Sequence, residues 1–126
     1  MSPVVTDPAE LPMLFQDALN SGDVDALLAL FAPGAGMRTV SGAHLTGPDA
    51  LRAELAGTVA AHGRLTNRSR HALVAADTAL LVTDWTLEVD APDGTRIAPT
   101  GTTANIARRL PDGGWRFLLL NPLGTA

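Results

Sequence analysis

Cysteine, lysine and tyrosine are all missing from this chain of 126 residues. Without cysteine, the chain can form no disulfide, no thiolate nucleophile and no cysteine metal site. Because lysine is missing, all nine basic residues are arginines, and the formal net charge is −4. An acidic balance of this kind disfavours non-specific nucleic-acid binding through a basic face, so no nucleic-acid partner is expected.

Long apolar runs and cofactor motifs are missing as well. No run of about 18 apolar residues is present, so no transmembrane helix and no membrane partner are predicted. The N-terminal segment has no basic region followed by an apolar one, which predicts a cytoplasmic protein without a secretory signal. The three histidines lack the spacing of metal ligands. Gly34-Ala35-Gly36 lacks the strand-to-helix context of a phosphate loop, so neither metal nor cofactor is predicted.

What the chain does have is enough length and enough apolar residues for one folded domain. Hydrophobic residues make up 46% of the sequence. A chain of this length can bury a core without disulfides or metal ions. No repeat or low-complexity linker divides it, so we predict a single domain over residues 1–126, with residues 1–7 as a loose N-terminal arm.

Three amphipathic helices are predicted in the first half of the chain. The first begins at Asp7-Pro8 or, alternatively, at Pro12. The second is capped by Asp23 and ended by Pro33-Gly34. The third begins at Pro48 and ends near His62. Apolar residues recur at helical spacing in all three: Leu11, Leu14, Phe15, Ala18 and Leu19; Val24, Leu27, Leu28 and Phe31; Leu51, Leu55 and Val59.

The second half of the chain reads as strands. Besides a short strand near 37–40, strands are predicted at 65–75, 79–89, 95–110 and 115–121. Pro92-Asp93-Gly94 and Pro111-Asp112-Gly113 are turn sequences that join the last three. Helices followed by an antiparallel meander indicate an α+β fold. A long curved antiparallel sheet wrapped around the helices would enclose a conical pocket.

Four stretches of the chain resemble the nuclear-transport-factor-2-like superfamily: Asn20-Ser21-Gly22-Asp23, then residues 45–52, 76–85 and 108–116. Within it, the chain is similar to SnoaL-like proteins of the YybH or SgcJ/EcaC type, which are often actinobacterial. The resemblance implies a cystatin-like, cone-shaped barrel with three N-terminal helices packed on the sheet. It also implies a small apolar molecule in the cone and a homodimer through the outer sheet face.

The activities of this superfamily include steroid isomerisation, polyketide ring cyclisation, epoxide hydrolysis and dehydration, and other members only bind small molecules. The steroid isomerases have an aspartate base where this chain has Thr39, which has no useful basicity near neutral pH. Close relatives often carry an acid at the position of Leu120. The main hypothesis is cofactor-free acid–base chemistry, such as isomerisation, cyclisation or hydration, on an apolar ring-containing metabolite of polyketide or other natural-product biosynthesis. A non-catalytic binding or accessory protein and a structural interaction domain remain alternatives.

Candidate catalytic residues are few. Asp84 or His71 is predicted as the general base, the aspartate if an apolar cavity raises its pKa and the histidine as a proton shuttle. Asn105 or Asn121 is predicted to donate a hydrogen bond to a carbonyl or enolate oxygen. Each also has a structural interpretation, namely a solvated ion pair for Asp84, a strand-to-strand hydrogen bond for Asn105 and a turn for Asn121.

Substrate-binding residues are predicted beside them. Arg38 at the pocket mouth could hold a carboxylate or phenolate through two hydrogen bonds. Trp85 offers a flat wall for a ring if it faces inward, and Asp84 must then face outward, because neighbouring strand residues point to opposite sides. Thr103 shares a face with Asn105. The last strand is predicted to form an apolar wall with one polar tip, made of Trp115, Phe117, Leu119 and Asn121.

Overall fold

The computed structural model describes residues 4–126. Within that range, helices pack on one side of a curved, mixed sheet, which confirms the α+β class. The elements are a 3-10 turn at Pro8–Glu10, α1 (Leu11–Asn20), α2 (Val24–Leu28), β1 (Phe31–Arg38), β2 (His44–Thr46), α3 (Pro48–Ala60), β3 (Arg64–Ala75), β4 (Thr78–Asp90), β5 (Arg96–Ile97), β6 (Thr100–Thr102), β7 (Asn105–Arg109) and β8 (Trp115–Leu120).

The strands follow the order β2-β1-β8-β7-β4-β3, and β5 and β6 also pair with β4. Neighbouring strands are antiparallel except β1 and β8, which are parallel. The sheet is therefore mixed, and the expectation of a purely antiparallel sheet was wrong at this one pair. This parallel pair joins distant parts of the chain, since Phe31 of β1 lies opposite Phe117 of β8.

Local capping signals explain where the helices begin. The Asp7 side chain accepts a hydrogen bond from the Ala9 backbone N at 3.0 Å, and the Asp23 side chain accepts one from the Ala26 N at 3.0 Å. Both predicted starts of the first helix occur, since a 3-10 turn from Pro8 leads directly into α1, with Pro12 in its first turn. Proline fits there because the first helical N–H groups have no partner within the helix.

Two predicted boundaries were wrong. The second helix ends at Leu28, so Phe31 begins β1, and Pro33-Gly34 lies inside that strand. Proline is tolerated there because the pairing of β1 with β8 shifts register between Phe31 and Gly36. The strand expected at 95–110 is three short strands. Pro99 falls in the first gap, where it has no N–H for a ladder but its carbonyl accepts from the Leu87 N.

The core lies between α1 and the sheet. Three phenylalanines meet there: Phe15 of α1 contacts Phe117 of β8 edge-to-face at a centroid distance of 6.0 Å, and Phe31 lies 5.8 Å from Phe117. Val5 is also buried, and its carbonyl accepts a 2.8 Å hydrogen bond from the Trp115 N. The described part of the predicted loose arm is therefore attached to the core, while residues 1–3 lie outside the described residues. No helix within residues 4–126 is long and apolar enough to cross a membrane.

Candidate functional site

A cavity of about 110 Å³ lies between the helices and the face of the sheet that they cover, here called the inner face. Its walls are apolar apart from a few side chains. Helices α1 and α3 line one side of the cavity, and strands of the sheet line the other. The lining residues are Pro12, Phe15, Leu19, Met37, Val40, Glu54, Leu55, Thr58, Leu65, Asn67, Thr83, Trp85, Leu87, Thr103, Asn105, Phe117, Leu120 and Pro122.

Alternation along β4 decides which predicted residues reach the cavity. Leu81, Thr83 and Trp85 are buried on the inner face. Asp84, between two of them, is on the opposite, outer face, where its carboxylate accepts a 2.6 Å hydrogen bond from Thr102 and lies 3.7 Å from the Arg70 guanidinium. Asp84 is therefore not a base for this cavity, and the solvated, paired interpretation fits its position.

Trp85 lines the cavity as predicted, and two contacts hold its ring. The indole Nε1 donates to the Pro122 carbonyl at 2.8 Å. On the neighbouring strand, Gly101 lies directly against the ring, since a Cβ built there would be 2.8 Å from Cζ2 of Trp85. Glycine at this position leaves room for the indole beside β6. The ring thus forms a fixed wall of the cavity.

Asn105 also lines the cavity, and its side chain is oriented by the last turn of the chain. Its Oδ1 accepts a hydrogen bond from the Asn121 backbone N at 2.6 Å. That bond identifies the oxygen of the amide and leaves the two Nδ2 protons as its donors. Asn121 itself is not a lining residue, and its own Nδ2 donates to the Gly124 carbonyl. Of the two predicted donors, the structure brings only Asn105 to the cavity.

Two buried threonines lie beside Asn105, with different hydrogen bonding. Thr103, as predicted, lines the cavity, but its hydroxyl is already used, because it accepts from the Thr83 N at 3.0 Å and donates to the Leu81 carbonyl at 3.3 Å. Thr83 is 2% exposed, and its Oγ1 has no partner within residues 4–126. A buried hydroxyl without a partner carries a desolvation cost, so it is a candidate ligand contact.

The wall formed by the last strand differs from its prediction. Phe117 lines the cavity, but Leu119 is 44% exposed on the outer face and Leu120 takes its place inside. The cause is a bulge: Ile106 pairs with Leu119 while Ala107 pairs with Phe117. The extra residue, Leu118, reverses the alternation that the sequence suggested.

A second bulge moves His71 away from the cavity. Ser69 pairs with Thr83, whereas His71 pairs with Val82, so these two residues do not share a face as predicted. His71 is exposed and lies with Arg68, Arg70 and Asp84 in a shallow polar depression of the outer face. A proton shuttle for the cavity is therefore not available from His71.

The residues expected at the pocket mouth have other positions. Arg38 is half-buried at the end of β1, where it pairs with His44 of β2, and it does not line the cavity. Thr39 is buried in the following turn, and its hydroxyl contacts Ser41 Oγ at 2.8 Å and accepts from the Ala43 N at 3.0 Å. Thr39 thus holds a turn together, while Met37 and Val40 contribute the apolar contacts on this side.

The interpretation of the sequence missed Glu54. It is the one ionisable side chain among the lining residues, and it has no salt bridge within the described part of the chain. Leu51, Glu54, Leu55 and Thr58 fall at i, i+3, i+4 and i+7 of α3 and so share one helical face. A carboxylate within an otherwise apolar stripe was the signal that could have identified it.

The architecture and the cavity define a class of fold, namely helices packed on a curved sheet around an apolar cavity. The profile of the SnoaL-like domain matches residues 14–115, most of the chain. The chain belongs to this family of SnoaL-like domains, within the nuclear-transport-factor-2-like superfamily. No curated protein matches it. Within residues 4–126, no three histidine, aspartate or glutamate residues form a group that could hold a metal ion.

Solved structures agree on the fold. A protein from Thiobacillus denitrificans, named as a candidate calcium/calmodulin-dependent protein kinase type II association domain, is 25% identical, with 97% of this chain and 99% of that one covered and a TM-score of 0.77. A candidate dehydratase of the same superfamily from Streptomyces avermitilis is 20% identical over 88% of each chain, with a TM-score of 0.73. A superfamily member with a cystatin-like fold from Novosphingobium aromaticivorans is 21% identical over 93% and 79%, with a TM-score of 0.75.

Proposed function

We propose that this protein binds a small, apolar, ring-containing molecule in the inner cavity and acts on it by cofactor-free acid–base chemistry. Natural-product biosynthesis, polyketide biosynthesis included, is the proposed context. The observation that carries the proposal is the pairing of an apolar cavity with two polar side chains, Thr83 and Asn105, on the same wall. A few fixed polar groups in an apolar pocket are what orients a small ligand.

The volume of the cavity limits the size of the ligand. A volume of about 110 Å³ is somewhat smaller than that of an engineered apolar protein cavity of about 150 Å³ that takes up benzene. A single ring is therefore the largest ring system that we expect the cavity to hold without rearrangement, and a fused polycyclic system exceeds it. We accordingly propose a monocyclic ligand, and a larger one only if Val40 and the neighbouring turn move outward.

The positions of Thr83 and Asn105 indicate which functional group of a ligand they could bind. Thr83 opposes Thr103 across β4 and the segment before β7, and Asn105 opposes Leu81 on β4, so Thr83 and Asn105 are diagonal neighbours on one face. Such neighbours lie about 7–8 Å apart at Cα, close enough for both side chains to reach one ligand oxygen. Two donors at one oxygen suit a carbonyl, and they suit the enolate formed from it better still.

A non-catalytic binding protein of the same fold is the alternative function. It requires the same cavity and the same donors, but no proton transfer to or from the ligand. The dehydratase name of the Streptomyces relative supports the catalytic proposal only as an analogy of fold. The two functions differ in a single measurement, namely whether a bound ligand exchanges protons faster than the free ligand does.

The binding proposal is tested with ligands of increasing ring number. Phenol and cyclohex-2-enone should raise the unfolding temperature and give saturable binding by isothermal titration calorimetry, since a ligand of the folded state stabilises it by RT ln(1 + [L]/Kd). Naphthol and four-ring aromatics should bind more weakly. Saturable binding of the four-ring compounds with none of phenol would contradict the size argument, and binding of neither would contradict the cavity as a ligand site.

We propose in addition that a second copy of this chain covers the outer face. Leu73, Leu80, Ile106 and Leu119 pair one after another across β3, β4, β7 and β8, so they form a continuous apolar row. Leu73 is 60% exposed and Leu119 is 44% exposed. A sheet face can pair with its own copy about a two-fold axis, which buries such a row on both sides. The Thiobacillus relative, named an association domain, supports assembly as a use of the fold.

Mass in solution tests this assembly. Light scattering after size exclusion should give twice the chain mass of 13.0 kDa for the unmodified protein. Leu73→Asp should give the monomer mass, because two carboxylates would be buried at the interface. Met13→Asp is the control, since Met13 is 47% exposed on α1, away from the outer face. A monomer at all concentrations, or loss of the dimer in the control alone, contradicts the proposal.

A further inference from the structure

Glu54 lines the inner cavity from its helical side. Glu54 comes from α3, while Thr83 and Asn105 come from β4 and β7, so acid–base and hydrogen-bonding groups line the same space from different walls. A base for the removal of a C–H proton next to a carbonyl needs this separation. The carbonyl oxygen and the carbon that loses the proton are different atoms of one ligand, and they are held from different sides.

Three other ionisable side chains predicted at the site lie outside the cavity. Asp84 is paired on the outer face, and His71 is exposed beyond a bulge. Arg38 is on β1 and does not line the space. If the protein moves a proton on a ligand in this cavity, Glu54 is the lining residue whose side chain can take it.

We infer that Glu54 is the general base of the cavity and that its substrates are small monocyclic ketones or enones. This inference rests on the proposed binding function. The Glu54 carboxylate removes a proton from the carbon next to the carbonyl, and the C–H electron pair becomes the C=C bond of an enolate. The negative charge moves to the carbonyl oxygen, beside the Asn105 amide and the Thr83 hydroxyl. When the proton on the Glu54 carboxyl group exchanges with solvent, delivery of the solvent-derived proton to the same carbon gives hydrogen exchange, and delivery to a conjugated carbon gives isomerisation.

The step needs no oxidant, reductant or bound metal, because the proton and electron pair that leave the carbon are both accounted for. Thr83 has a specific part in it. Its hydroxyl has no partner within residues 4–126, so a ligand oxygen at this wall would give it a hydrogen bond, and that bond strengthens as the oxygen becomes charged. The arrangement therefore favours the enolate over the neutral ketone.

Hydrogen–deuterium exchange of cyclohex-2-enone in D₂O tests the inference without knowledge of the natural substrate. Proton NMR of the ring methylene next to the carbonyl follows the exchange rate with and without protein, and a titration of the same compound gives its dissociation constant. The unmodified protein should accelerate exchange over buffer. Glu54→Gln should lower the protein-dependent rate at least about 100-fold, the usual contribution of a general base, and should change the dissociation constant by less than about threefold.

Two further variants separate a catalytic role from a structural one. Glu88→Gln makes the same substitution at an exposed carboxylate of β4, so the exchange rate should stay unchanged. Glu54→Asp keeps the carboxylate one methylene further back, so a reduced but measurable rate is expected. Exchange that is equal in the unmodified protein and in Glu54→Gln, or binding without any accelerated exchange, overturns the role of Glu54 and leaves the binding function standing. Absence of binding to the unmodified protein overturns the binding function itself, and the inference with it.

Discussion

The two faces of the sheet are built from alternate residues of the same strands, yet they differ in almost every property. On the inner face, Leu81, Thr83 and Phe117 are each 2% exposed or less, and they line or support a cavity. On the outer face, Leu73 and Leu119 keep about half of their surface in solvent. A shift of one residue along a strand thus separates a ligand wall from an open surface. The face of the sheet to which a side chain points, more than its residue type, decides what that side chain can contact.

The largest test of this comparison removes one side chain from each face of β8. Phe117→Ala should lower the free energy of unfolding by about 3–5 kcal/mol, because it takes the central ring out of the phenylalanine cluster. Leu119→Ala should change it by no more than about 0.5 kcal/mol in the monomer. Urea denaturation with equal m-values measures both. Equal losses would mean that the outer face is as well packed as the inner one.

A second test uses the glycine behind Trp85. Gly101→Ala places a Cβ within van der Waals overlap of the indole, so the ring must tilt into the cavity, at a cost of about 1–3 kcal/mol and with loss of phenol binding. Gly57→Ala on the exposed side of α3 is the matched control, because an added Cβ there meets nothing within 4 Å. That change should stabilise the protein by about 0.5–1 kcal/mol. Calorimetric titration with phenol and chemical denaturation distinguish the two.

The buried threonines allow a test within the inner face itself. Thr103→Val removes a hydroxyl with two partners and should cost about 1–3 kcal/mol, since the Thr83 N loses its acceptor. Thr83→Val removes a hydroxyl that has none, so folding should be unaffected or slightly stabilised. Although Thr83→Val should spare stability, it should weaken the binding of cyclohex-2-enone about tenfold, because the ligand loses a hydrogen bond. A stability loss at Thr83 as large as at Thr103 would show that its hydroxyl is satisfied in solution.

The smallest effect on stability is expected at a group of exposed charged side chains outside the cavity and the apolar row of the outer face. His62, at the end of α3, hydrogen-bonds Asp90 at 2.7 Å, and Arg96 bonds the same carboxylate at 3.0 Å. The His62 contact first, and then Arg96, hold the pKa of Asp90 below its ordinary value of 3.8. Because the pKa is lowered on folding, the stabilisation is complete above the unfolded value and is lost as pH falls through the folded one.

Carbon-13 NMR of the Asp90 carboxyl measures this directly. His62→Gln should raise the pKa of Asp90 towards 3.8, so the free energies of unfolding of the two proteins should differ above that pH and converge as the pH falls below it. Because the pair is exposed to solvent, added salt should reduce the difference. An unchanged pKa in His62→Gln would show that Arg96 alone accounts for the shift.

Much of the fold could be predicted from the sequence because its signals are local. Asp7 and Asp23 cap helices, the Pro-Asp-Gly turns join strands, and the opposite orientations of Asp84 and Trp85 follow from strand alternation alone. The predictions of the fold that failed depended on pairing between residues far apart in the chain. The parallel contact between β1 and β8 joins residues more than 80 positions apart, and no local pattern encodes it.

The candidate site shows the same division. Trp85, Thr103, Asn105 and Phe117 were predicted and do line the cavity. Leu119 and His71 were placed on the wrong faces, because each follows a bulge that reverses the alternation, and no residue type marks a bulge reliably. Glu54 was missed for a different reason. Its position in the apolar stripe of α3 was readable, but the third helix was interpreted only as core.

The position of Trp85 has a practical consequence. The chain contains two tryptophans and no tyrosine, and only one of the two indoles lines the cavity. Trp115 is buried elsewhere, beside Val5, Leu14 and Leu30. Tryptophan fluorescence therefore comes from Trp85, which lines the cavity, and from Trp115, which does not contact it. With Trp115 replaced by phenylalanine, the protein becomes its own optical sensor, and its fluorescence reports when the cavity is filled.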